Sequence, residues 1–188
     1  HDALPIYHIK INRLPKIHEN IKIQTWPSAE KMLGAIRDFV VYAESGEVIM
    51  LASSQWILID FIKKRPLSLK NNLPQYQRID ERALNTDFAK ITEPTMISCR
   101  REFDVRFDDI DINGHVNNAI YPLWASEAVA DEFRMNHNPQ EIEIAFKKEC
   151  FYGERVEVLT QMDGMSATTI IKSLVDGREL ARVRIFWK

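Results

Sequence analysis

Cysteine is nearly absent from this 188-residue chain: Cys99 and Cys150 stand alone, without a CxxC pair or a Cys/His cluster at zinc-ligand spacing. That excludes a disulfide scaffold and a zinc finger, and it fits a reducing, cytosol-like compartment. Glycine (6) and proline (8) are scarce, which excludes collagen-like and linker-like chains. No excess of charge exists either, since 25 Lys+Arg meet 27 Asp+Glu for a net charge of -2. A dedicated nucleic-acid binder would carry a basic surplus, so that class is set aside. The longest apolar runs, such as 48–52 and 56–59, fall far short of the roughly 20 residues that cross a bilayer, so no membrane span is expected. The start, His1-Asp2-Ala3, has neither a Met nor the look of a signal or transit peptide, and it reads as a chain whose true beginning is missing. What the sequence does have is 45% apolar residues, enough to build one large core or two small ones.

Those apolar residues alternate with period two, the mark of half-buried strands. Tyr7, Ile9 and Ile11 alternate with His8, Lys10 and Asn12; Phe103, Val105 and Phe107 alternate with Glu102, Asp104 and Arg106. Ser45-Gly46 and Asp176-Gly177 are turn signals between β-rich runs and predict hairpins, the second of the two-residue kind. Helices are few: one near 118–133, and a short one around 77–84 within a mixed segment.

One half can be laid on the other. An offset of 135 puts Tyr7/Ile9/Ile11 on Ile142/Ile144/Phe146, Glu19 on Glu154 and Ile21/Ile23 on Val156/Val158; an offset of 131 then puts Gly46 on Gly177, Ile49 on Leu180 and Trp56 on Trp187. The reading is a structural repeat: a first unit over 1–62, a linker over 63–95 and a second unit over 96–188. By this count the first unit lacks an opening strand and helix of roughly 40 residues, taking a domain as a complete set of packed layers.

The densest polar stretch runs from Asp108 to Asn118, between a strand and a helix. Asn117 or Asn118 suits a helix cap, but a cap does not account for Asp111, Asn113 and His115. Alternate residues of an extended loop project to one side, which would make these three converge before a helix N-terminus able to favour an oxyanion. That is a site for acyl chemistry. A second candidate is Lys147-Lys148-Glu149-Cys150 at the end of the strand carrying Phe146, where the first unit has only Leu14 and Pro15 for the last two. In an unbroken strand Glu149 would point away from the apolar face, so a bulge after Phe146 is expected. His137 reads as a structural turn residue.

Asp111-Ile112-Asn113-Gly114-His115-Val116-Asn117-Asn118 with Tyr121 and Trp124, followed by Lys148-Glu149-Cys150, resembles the fatty acyl-acyl carrier protein (acyl-ACP) thioesterases of plants and bacteria. The similarity extends to Gln24-Thr25-Trp26-Pro27, Arg37-Asp38-Phe39, Ser54-Gln55-Trp56 and Lys64-Arg65-Pro66. The resemblance implies an α+β protein of two tandem hotdog units, each a curved antiparallel sheet wrapped around a helix, the first on the acyl-chain side and lacking its N-terminal strand and central helix, the second catalytic. It implies hydrolysis of acyl-ACP to a free fatty acid, with Asp111, Asn113, His115, Glu149 and Cys150 in the active-site positions, Asn117 and Asn118 toward substrate or oxyanion, and no metal or organic cofactor.

Two divisions of labour are open. In one, Cys150 is the nucleophile, activated by His115 and oriented by Asn113. In the other, Glu149 is the general base for water, with Asn113 and His115 binding the thioester and Asp111 positioning them. The second is preferred, because many hotdog thioesterases use a carboxylate and no cysteine. Lys147, Lys148 and Arg155 offer a basic surface for docking the acidic carrier protein, though the same surface suits coenzyme A phosphates. An acyl-CoA thioesterase and a non-catalytic acyl-binding module are the alternative functions. The incomplete first unit would expose an apolar face, which predicts a homo-oligomer. The expected compartment is the bacterial cytoplasm, with the plastid stroma as the alternative.

Overall fold

A computed structural model of the chain describes residues 5–31, 34–60, 63, 65–67 and 77–188. It divides into two compact units, His1–Ala89 and Lys90–Lys188.

The first unit is an antiparallel sheet of β1 (Ile6–Ile11), β2 (Ile21–Lys31), β3 (Gly34–Ala43) and β4 (Val48–Ile57), in the order β2-β3-β4-β1. A two-residue ladder joins β5 (Ile59–Asp60) to β6 (Arg65–Pro66). The expected hairpin turns at Ser45-Gly46, where Gly46 takes φ +86°, a conformation glycine adopts without steric cost. On β3 the alternate residues Ile36, Asp38 and Val40 are buried, as period-two patterning requires. Ile21 and Ile23 of β2 are exposed.

Residues 77–84 form no helix. They and the stretch to residue 89 belong to neither helix nor strand, because tertiary partners take their polar groups: Trp26 Nε1 donates to Glu81 O (2.8 Å), Ile79 N–H to Pro27 O (3.0 Å), and Arg82 Nε to the buried carboxylate of Asp38 (2.8 Å). Ser28 and Ser53 hydroxyls donate to the same carboxylate. A buried carboxylate is tolerable only with such a set of donors.

The second unit contains β7 (Cys99–Asp104), a 3-10 turn (Phe107–Asp109), α1 (Ile120–Glu127), α2 (Asp131–Asn136), β8 (Pro139–Phe146), β9 (Arg155–Asp163), β10 (Ser166–Ser173) and β11 (Glu179–Trp187). Its sheet order is β8-β11-β10-β9-β7, all pairs antiparallel. The helix expected over 118–133 is broken in two. Pro122 is accommodated in the first turn of α1; Ala128 and Val129 then turn inward and are buried, Ala130 becomes extended, and Asp131-Glu132 open α2 with acidic residues at its N-terminus. Tyr121, Trp124 and Ala125 of α1 are buried, Tyr121 edge-on to Phe146 at 5.2 Å and Trp124 stacked with Phe103 at 6.1 Å. Among the described residues no helix is long and apolar enough to cross a membrane.

The two units repeat each other closely. Ile9 pairs with Ala52 in the first and Ile144 with Val183 in the second, as the offsets of 135 and 131 require. A bulge at Val41/Tyr42 matches one at Ile171/Lys172, whereas 131 would set Val41 on Lys172; the third strand is thus one residue out of that register. The extra residue lies in the second hairpin. Ala43 N–H bonds Glu47 O, but Ser173 N–H bonds Arg178 O, so Asp176-Gly177 ends a four-residue loop, 174–177, rather than making the expected two-residue turn.

Candidate active site

Asp109 anchors the first half of the site. Its side chain is 1% exposed, and burial would raise its carboxyl; hydrogen bonds from the Arg106 guanidinium (2.7 Å) and Arg106 N–H (2.9 Å) outweigh this and hold it below the usual carboxylate range. Its main-chain oxygen accepts Asn117 N–H (2.8 Å). Ile110 and Val116 then form an antiparallel bridge that closes residues 111–115 into a tight hairpin.

Within this hairpin Gly114 N–H donates to Asp111 O (3.0 Å) and Asp111 N–H to His115 O (2.9 Å). Gly114 has φ +82°, the left-handed conformation this loop needs between Asn113 and His115. The Asp111 carboxylate accepts both the Asn113 main-chain N–H (2.8 Å) and its side-chain amide (3.3 Å). Asp111 and Asn113 therefore meet through an Asx turn, not by alternation along an extended loop as expected. Asn117 caps the approach to α1, its Oδ1 accepting Ala119 N–H (2.9 Å), and Asn118 is exposed.

The second half depends on the bulge. Leu180 O accepts both Lys147 N–H (2.8 Å) and Lys148 N–H (3.2 Å), two residues opposite one directly after Phe146. This redirects the chain so that Glu149 Oε1 lies 3.6 Å from His115 Nε2, the two side chains 35% and 29% exposed. The spacing is that of an ion pair, not a direct hydrogen bond. Phe151 sits edge-on to the imidazole at 5.8 Å. Val116 N–H donates to Cys150 O (2.8 Å), tying the hairpin of His115 to the loop of Glu149.

Cys150 is fully buried. Burial pushes its thiol up to about 12, and the neighbouring charge of Glu154 adds to the effect. At neutral pH it is a protonated thiol, and the thiolate is the form that attacks. Tyr121 is raised as well, chiefly by burial and then by Cys150 and Glu154. Lys147 and Lys148 are exposed and make no ion pair among the described residues, while Arg155 is engaged by Glu102 (2.9 Å) and Asp104 (3.0 Å).

Two residues below the site went unnoticed in the sequence as chemistry. Glu154 and Arg178 are bonded at 2.5 and 2.7 Å, and Arg178 reaches Glu149 O. A signal for Glu154 was present, since the repeat register aligns it with Glu19, another acid in the equivalent loop; none existed for Arg178. The arrangement offers a solvent-accessible carboxylate beside an imidazole, with amide donors close in sequence, and can activate water next to a polarised carbonyl.

A family model described as the acyl-ACP thioesterase C-terminal domain matches residues 92–188, and one described as the N-terminal domain matches 5–76. The chain is 26% identical over 198 residues to a chloroplastic palmitoyl-acyl carrier protein thioesterase of Cuphea hookeriana, covering 96% of this chain and 46% of the relative. It is 26% identical over 178 residues to a chloroplastic oleoyl-acyl carrier protein thioesterase of Coriandrum sativum, covering 88% and 48%. The chain spans about half the length of the curated relatives it matches. Among solved structures, a 12:0-ACP thioesterase from Umbellularia californica superimposes with a TM-score of 0.82 at 22% identity, covering 100% of this chain and 74% of the other. An acyl-ACP thioesterase from Bacteroides thetaiotaomicron gives 0.82 at 20% identity, covering 99% and 76%. These likenesses carry the fold, which is that of the hotdog thioesterases.

Proposed function

The chain belongs to the acyl-ACP thioesterase family, and we propose that it hydrolyses acyl-ACP thioesters, with Glu149 as general base. The carboxylate takes a proton from water as the water oxygen attacks the thioester carbonyl carbon. The developing oxyanion is met by donors from Asn113 and His115, with Asp111 holding Asn113 in place. Collapse of the tetrahedral intermediate breaks the C–S bond; the carrier thiol leaves with a proton and the fatty acid is released. The observation that carries this reading is the approach of Glu149 to His115 at 3.6 Å, while the Cys150 thiol is buried against Glu154. The carrier is proposed to dock over Lys147 and Lys148, which make no ion pair among the described residues, with Arg155 at the margin where Glu102 and Asp104 offset it.

The test is kcat/KM on acyl-ACP and on the acyl-CoA of the same chain length, for the protein and for Glu149→Gln. Acyl-ACP is expected to be the better substrate and Glu149→Gln to lose about 10²-fold or more in kcat. Because exposed lysines also suit nucleotide phosphates, preference for acyl-CoA would make the protein an acyl-CoA thioesterase. Acyl binding without turnover would make it a non-catalytic module. We place the protein in the bacterial cytoplasm; the chloroplastic relatives support the plastid stroma as the alternative.

A further inference from the structure

Glu149, Cys150 and Phe151 belong to no strand, so their main-chain groups need partners outside a ladder. Each is held at one point. Arg178 donates to Glu149 O from Nε (3.4 Å) and Nη2 (3.3 Å), Val116 N–H donates to Cys150 O (2.8 Å), and Phe151 N–H donates to Glu154 Oε1 (3.2 Å). Arg178 is itself fixed: Nη2 bonds both oxygens of Glu154, Nη1 bonds Asp176 (2.9 Å), and the Ser173 hydroxyl donates to Glu154 Oε2 (2.7 Å). The Arg178 and Glu154 side chains are 19% and 13% exposed, so solvent screens this pair little.

The first unit holds the equivalent loop by the same logic with the cation moved. Arg13 donates to Leu14 O (3.2 Å), to both oxygens of Glu19 (2.9 and 2.8 Å) and to Glu47 (2.8 Å), and Lys16 N–H donates to Glu19 (2.8 Å). By the repeat register Leu14 corresponds to Glu149, Lys16 to Phe151, Glu19 to Glu154, Arg13 to Lys148 and Glu47 to Arg178. Both units therefore clamp one carbonyl to one half-buried loop glutamate through a guanidinium. Only in the second does the clamped residue carry a carboxylate.

We propose that Arg178 is a positioning residue for the hydrolysis: its planar fork, anchored on Glu154, fixes the main chain of Glu149 and thereby where the Glu149 carboxylate stands against His115. The proposal rests on the reading of Glu149 as general base. A guanidinium can bridge an acceptor on each side in one plane, which an ammonium cannot, and an ångström of misplacement at a reacting group can cost about 10²-fold in rate.

Three variants test it on acyl-ACP, each with thermal unfolding measured alongside. Arg178→Lys keeps a cation for Glu154 but loses the fork; a fall in kcat of about tenfold or more is expected, with KM within about twofold and an unfolding midpoint near that of the parent protein. Arg178→Glu is expected to lose kcat and stability together. Adding Lys148→Arg to it rebuilds the Arg13–Glu47 arrangement of the first unit and is expected to return most of both. Parental kcat in Arg178→Lys, or kcat losses that track the unfolded fraction in all three variants, would overturn the positioning role while Glu149→Gln remained inactive. If Glu149→Gln itself kept its turnover, the general-base reading would fall first, and this role with it.

Discussion

Cys150 is buried beside the charge of Glu154, in a place from which solvent is excluded, and both raise its thiol. On the proposed general-base reading, a cysteine so held packs rather than reacts. With the thiol pushed up to about 12, only about one molecule in 10⁴ carries a thiolate at pH 8. Cys150→Ala is therefore expected to keep kcat within about threefold of the parent, far less than the loss that follows removal of a nucleophile. Iodoacetamide at pH 8 should leave Cys150 unlabelled in the folded protein, as read by peptide mass spectrometry. An inactive Cys150→Ala enzyme that is still folded would return the nucleophile role to this residue.

Lys147 and Lys148 stand on the bulge itself, exposed and unpaired among the described residues, directly before Glu149. Reversing both charges, Lys147→Glu with Lys148→Glu, is expected to raise KM for acyl-ACP by about tenfold at low salt while sparing kcat. The difference should shrink as ionic strength rises and the Debye length contracts. A small acyl-pantetheine thioester, which carries no protein, should be hydrolysed equally by both forms. Equal loss on both substrates would remove the lysines from carrier docking.

Acid should loosen the first unit through Glu19. Hydrogen bonds from Arg13, and then from Lys16 N–H, lower its carboxyl from 4.5 to about 2. For an acid with a depressed folded value, the contribution to stability is complete above the unfolded value and is lost as pH falls through the folded one. The window here is pH 4.5 down to about 2. Denaturant titrations of Glu19→Gln should show a shallower dependence on pH across that interval than the parent protein. An unchanged slope would exclude Glu19 as a contributor.

His18 has φ +64° where the second unit has Gly153 at φ +81°. A side chain in that left-handed conformation costs about 1 kcal/mol relative to glycine. His18→Gly is thus expected to be neutral or mildly stabilising, and Gly153→Ala to destabilise by about 1 kcal/mol, although open space surrounds the added carbon. Chemical denaturation of the two variants decides the point; a neutral Gly153→Ala would contradict the argument.

Much of this was legible in the residues because period-two alternation specifies both the strands and the face each presents. The alignment of Tyr7/Ile9/Ile11 with Ile142/Ile144/Phe146 recurs in the equivalent pairings of β1 with β4 and of β8 with β11, and the need to turn Glu149 around led to the bulge at Lys147-Lys148. What was not legible came from partners distant in sequence. Residues 77–84 read as helix from their local pattern, but Trp26 bonds the main chain of Glu81 and Asp38 the side chain of Arg82, and the segment lies outside helix and strand alike. The meeting of Asp111 and Asn113 needed the Asx geometry of one particular turn. Arg178 sits 29 residues beyond Glu149, and only the pairing of β8 with β11 brings it there.

The doubled donation to one carbonyl occurs in the first unit too, where Ile49 O accepts Asn12 N–H (2.9 Å) and Arg13 N–H (3.4 Å). Leu14 follows that bulge as Glu149 follows the other, and it is 49% exposed, so it gives little to the interior. Chemistry in this architecture is thus separable from architecture: the duplicated scaffold presents two equivalent perches and has loaded one. A carboxylate at position 14 would disturb little packing, which makes the vacant perch an opening for engineering a second acid into the same molecule.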